Sequence, residues 1–148
     1  MVGTRRALLG AGALLVVGCG PADALEVNAA NVWGEQLRAS QTALAAYEGV
    51  AGAGSLRARA SSRVERLEAM AGAAGAAPSV TPSLQAALEA ERVALQTHVA
   101  AVGKLEDRPS RELLATLVAE TAEAVSALRE LMDEPPIVDA FPGQRNRP

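Results

Sequence analysis

The stretch DRPSRELLATLVAETAEAVSALRELMD, residues 107–133, decides the fold. Leu114, Leu117, Thr121, Ala124, Leu128 and Leu131 recur in alternating steps of three and four, which places them along one face of an α-helix. Asp107 and Pro109 mark its start, since a carboxylate accepts from the unpaired N–H groups of a first turn and proline is tolerated there. Glu134-Pro135-Pro136 stops the pattern, and the polar, proline-containing segment 134–148 reads as a disordered tail.

The same period extends upstream. A third stripe runs Leu84, Leu88, Glu91, Leu95, His98, Val102 and Leu105, with Thr81-Pro82 as its start signal. A second comprises Leu56, Ala60, Val64, Leu67, Ala71 and Ala74, carries Arg57, Arg59, Arg63, Glu65, Arg66 and Glu68 off its apolar face, and fades into the Gly- and Ala-rich segment 72–80. The first, from about Asn28 to Ala51, holds Trp33, Leu37, Ser40, Leu44, Tyr47 and Ala51 before Gly49, Gly52 and Gly54 break the helix. Four helices of about 20 to 25 residues, roughly 30 to 37 Å long, predict an all-α, up-down four-helix bundle over residues 28–133. In this arrangement residues 72–80 hinge two helical hairpins.

Composition agrees with helices. Alanine supplies much of the 49% hydrophobic content, and one Trp, one Tyr and one Phe are too few aromatics for a sheet-rich core. Lys104 is the sole lysine, so the basic charge is almost all arginine.

The N-terminal segment carries the clearest chemistry. Arg5 and Arg6 precede an apolar run, Leu8 to Val17, that would span about 15 Å as a helix, half of a ~30 Å hydrocarbon core. Basic residues, a short apolar run and a small residue at the end have the form of a signal peptide over 1–18. Val16-Val17-Gly18-Cys19 resembles the lipobox of bacterial lipoproteins, which implies diacylglyceryl transfer to the Cys19 sulfur and cleavage after Gly18. Residues 19–27 would then be a lipidated tether, and the bilayer a partner through acylated Cys19.

Cys19 is the only cysteine, so no intramolecular disulfide competes for it. Thr4-Arg5-Arg6-Ala7-Leu8-Leu9 also looks like a twin-arginine export motif, and both export routes stay open. Gly20 rather than aspartate follows the cysteine, which favours the outer membrane in a diderm host with lipoprotein sorting. The sequence does not identify such a host, so the cell membrane and the outer membrane both stay open as the place of anchoring. Removing Arg5 and Arg6 from the 14 basic residues leaves 12 against 17 acidic, a net charge of −5 for the mature part. A mildly acidic chain without a basic stripe argues against a nucleic-acid partner, so any macromolecular partner is expected to be protein.

The helical text itself, LRASQTALAAYEGVAGA at 37–53 with Leu56 to Ala60 and Ala90-Glu91-Arg92, resembles bacterial ferritin-like bundles. That resemblance implies inward carboxylates and a Glu-x-x-His on each of two helices as metal ligands. Here the only histidine, His98, follows Leu95 by three residues, and Ser40 and Gln41 stand where a carboxylate would be wanted. Glu48, Glu91, His98 and Glu120 are the remaining candidate ligands for a degenerate metal or small-ligand site.

Glu91 and His98 lie about 10 Å apart along a helix and cannot share one metal without help from other helices. A small rotation would put Arg92 and Val99 at the boundary and leave Glu91 and His98 on a solvated edge, which is the expected placement. Gly52-x-Gly54 has no preceding strand and no following lysine, so it reads as a turn rather than a phosphate loop. One histidine without a nucleophile elbow supports no hydrolase triad, and the dispersed Met1, Met70 and Met132 support no copper site. The sequence therefore points to a non-enzymatic envelope lipoprotein without a cofactor, its bundle a structural or interaction module.

Overall fold

A computed structural model of the chain describes residues 28–71, 75 and 79–136. They form four helices and, among the described residues, no strand: α1 (Ala29–Ala46), α2 (Gly54–Ala71), α3 (Leu84–Ala101) and α4 (Arg108–Leu131). No helix among the described residues is long and apolar enough to cross a membrane. The leader 1–18, Cys19 and its tether, most of the 72–80 segment and the tail beyond Pro136 lie outside the described residues.

Short polar side chains set the starts of α1, α3 and α4. Asn28 accepts from the Ala30 and Asn31 N–H groups, and Asp107 Oδ1 accepts from Ser110 N–H at 2.8 Å. That bond holds the Asp107 carboxyl below its ordinary pKa, because only the ionised form is a full acceptor. At α3 the cap is Ser83, which accepts from Ala86 N–H at 3.0 Å, and not Thr81 before Pro82 as expected. The seryl hydroxyl after the proline reaches the first turn, so the helix begins two residues later than the Thr-Pro signal suggests.

The first helix ends at Ala46 rather than near Ala51. Gly49 and Gly52 adopt φ of +67° and +80°, left-handed conformations in which a side chain is strained, so they build the α1–α2 turn. Three helices have 18 residues, about 27 Å, and are shorter than the stripes imply; α4, with 24, is about 36 Å.

The side chains fall into two apolar clusters at opposite ends of the bundle. One joins the end of α1 (Ala46, followed by Tyr47) to the starts of α2 and α3 (Leu56, Leu88) and the end of α4 (Leu128). The other joins the start of α1 (Val32, Trp33, Leu37) to the ends of α2 and α3 (Leu67, Ala101) and the start of α4 (Leu114, Leu117). The helix directions follow from these clusters.

The α1–α2 and α3–α4 pairs are antiparallel hairpins, as the periodicity predicts for a four-helix bundle. Across the second connection the finer expectation of a simple up-down order gives way to up-down-down-up, because α2 ends at one pole and α3 starts at the other. Twelve residues, 72–83, separate these helices. At most ~40 Å when extended, they are long enough to join the two poles.

Candidate functional site

Between the two apolar clusters lies a buried polar layer to which all four helices contribute. Glu91 of α3 is 1% exposed and Arg63 of α2 is 2% exposed. The Arg63 Nη2 donates to both Glu91 carboxylate oxygens at 2.8 Å, and Nη1 donates to Thr121 Oγ1 of α4 at 3.1 Å. Tyr47, just past α1, donates its hydroxyl to Glu91 Oε1 at 3.0 Å. Burial raises the Tyr47 pKa, and the adjacent Glu91 charge and its hydrogen bond raise it further. The phenol is therefore a fixed donor.

A second buried pair lies toward the Trp33 pole. Gln36 Nε2 donates to Val32 O at 3.2 Å, which leaves Oε1 to face His98 Nδ1 at 2.6 Å. An amide oxygen only accepts, so Nδ1 carries the proton and Nε2 is bare. Burial, and secondarily the nearby Arg63 charge, lower the His98 pKa from 6.5 to about 4. Neutral His98 is thus the folded form at ordinary pH. His98 Nε2, Ser40 Oγ and Arg63 Nε are buried without a hydrogen-bond partner.

These placements correct the expectation for the third helix. Arg92 and Val99 are exposed, whereas Glu91 and His98 are fully interior, because Ala87, Ala90, Ala94 and Ala101 define the buried face with them. Alanine leaves space for longer polar side chains to enter, so the inward face is set by small residues rather than by Leu95. Arg63, placed off the apolar face by its charge, also lies inside.

The four metal candidates go to different places. Glu48 is exposed and pairs with Arg57 at 2.8 Å. Glu120 is one-third exposed and pairs with Arg66. Glu91 faces the Arg63 cation, and His98 binds Gln36. Among the described residues no three or more His, Cys, Asp or Glu side chains gather closely enough to hold a metal ion.

Sequence reasoning missed Arg63, Gln36 and the inward hydroxyl of Tyr47 as parts of this layer. A signal existed for Arg63: it stands seven residues after Leu56 and four before Leu67, hence on the buried stripe.

Among the described residues the outer surface carries open grooves. One of about 570 Å³ lies between α1 and α2 over Leu44, Ala45, Ala58 and Val64, with the Glu48–Arg57 pair at one end. Another of about 560 Å³ follows the α2–α4 seam, where the Arg59–Glu123 and Arg66–Glu120 pairs bridge the helices. Comparison with family models, characterised proteins and solved structures finds no match for the chain.

Proposed function

We propose that the chain is an exported bacterial lipoprotein, anchored through acylated Cys19 at the outer face of a membrane, whose bundle is a non-enzymatic structural or interaction module. The observation that carries this is Val16-Val17-Gly18-Cys19 at the end of a basic and then apolar leader, with Cys19 the sole cysteine. A thiol is the side chain that forms a stable thioether with diacylglycerol, and a small residue before it lets a peptidase reach the backbone. Two or three acyl chains anchor stably where one does not.

The bundle supports the second half of the reading. Its interior carboxylate, guanidinium and phenol bind one another, its amide and imidazole bind each other, and all face the core rather than a cleft. Its helix order, up-down-down-up with one long connection, is also the order of ferritin-like bundles, which supports that resemblance for residues 28–133. In place of a metal ion, Arg63 neutralises the inward carboxylate.

The test is metabolic lipid labelling in a bacterial host. The wild-type chain is expected to take up labelled fatty acid and to fractionate with membranes, and Cys19→Ala to lose both. A Cys19→Ala chain that still labels and stays in the membrane fraction overturns the anchor. A cofactor that co-purifies with the protein and turns over substrate overturns the non-enzymatic module.

A further inference from the structure

We propose that the polar layer is an acid-operated latch, in which protonation of His98 at Nε2 separates α3 from α1 at the Trp33 pole. The geometry makes the ring a one-position acceptor. Gln36 is oriented by its own bond to Val32 O, so its oxygen fixes the His98 proton on Nδ1 and leaves Nε2 as the only atom that can gain one. That atom is buried and without a partner.

A charged ring would be the second cation in a layer with one buried anion. From α2 the layer receives Arg63, from α3 Glu91, from α1 and its end Gln36, Ser40 and Tyr47, and from α4 Thr121. Glu91 is already matched, since both its oxygens accept from Arg63 and one also accepts from Tyr47. Glu120 of α4 lies at the surface with Arg66. Thr121 and Ser40 hold no charge to offset a second cation, and an uncompensated buried charge is relieved by letting water in.

The pH window follows from linkage. His98 has a folded pKa of about 4, below its ordinary 6.5, so the opened state takes the proton first. The closed state is fully favoured above pH 6.5 and loses ground as pH falls from 6.5 toward 4.

His98 and Trp33 are each the only residue of their type, so NMR of the ring carbons and tryptophan fluorescence report on them without ambiguity in the full chain in detergent. Trp33, 3% exposed, belongs to the cluster next to the latch. Acidification from pH 6.5 to 4 is expected to shift Trp33 emission to the red with the midpoint of His98 protonation and a slope of one proton. His98→Asn, which keeps an N–H near Gln36 but does not titrate, is expected to abolish the shift in that window. The same shift in His98→Asn, or ring protonation near pH 6.5 without a change in Trp33, overturns the proposal. If His98→Asn is unfolded at neutral pH, the wild-type slope decides: one proton supports the latch, and a steeper slope shows that carboxylates drive the opening and overturns it.

Discussion

Arg63–Glu91 and Arg57–Glu48 are the same pair of residue types at the same 2.8 Å separation, one in the interior and one on the surface. Their side chains are 2% and 1% exposed in the first case, 50% and 66% in the second. Water solvates the surface pair whether or not it forms. The interior pair has no such alternative, so each buried charge is compensated only by the partners around it. The distance is shared and the consequence is not: burial decides how much of the fold depends on a bond.

The largest expected effect comes from breaking the interior pair on one side. Arg63→Ala strands the Glu91 carboxylate among apolar side chains with Tyr47 as its remaining partner, and should destabilise the bundle by about 3–5 kcal/mol. Urea unfolding monitored by helicity measures this; a loss below about 1 kcal/mol would show that water reaches Glu91. Replacing both members with apolar residues of similar size, Arg63→Met with Glu91→Leu, removes the charges together. That double variant should lie much nearer the wild type than either single one, since well-packed apolar replacements of buried pairs are often neutral.

A smaller effect is expected from Tyr47→Phe. The ring still fills its place beside Ala46 and Leu88, so the packing survives and the change is confined to one hydrogen bond to an ionised acceptor. A loss of about 1.5–3 kcal/mol is expected in the same unfolding measurement. In the Arg63→Ala background the same substitution should cost more, because Tyr47 is then the last donor to Glu91. A double-mutant cycle reads this coupling directly.

The four stripes were legible because leucine at steps of three and four has one physical meaning in a chain with so few aromatics. Leu114, Leu117, Ala124 and Leu128 are all buried as their spacing predicts, whereas Leu131 at the end of the fourth stripe and Val102 near the end of the third are exposed. The polar layer was legible only in part. Glu91, His98, Ser40 and Thr121 interrupt apolar stripes and so mark themselves, but periodicity does not distinguish a buried polar residue from a stripe turned by a few tens of degrees.

The alanine-rich third helix made the ambiguity worst, since Ala90 and Ala94 define its inward face as weakly as any residue. Arg63 was hidden by its charge, although its position on the Leu56–Leu67 stripe and the need of Glu91 for a buried counter-ion together call for it. The direction of α3 was hidden for another reason. Pattern gives the axis of a helix but not its polarity, and a linker of twelve residues permits either.

The surface pair sets the lower end of the comparison. Glu48→Ala removes a carboxylate whose partner Arg57 is half exposed and remains solvated without it, so the expected change is about 0–1 kcal/mol. The two ion pairs should also respond differently to salt. Raising ionic strength from 0.01 to 1 M shortens the screening length from about 30 to 3 Å and should erase what the Glu48–Arg57 pair contributes. The Arg63–Glu91 interaction, reached by neither water nor ions, should be nearly unchanged over the same range. Measuring the coupling energy of each pair at both salt concentrations separates burial from distance as the controlling variable. Equal salt sensitivity in the two pairs would place Arg63 and Glu91 in contact with solvent and remove the basis of the comparison.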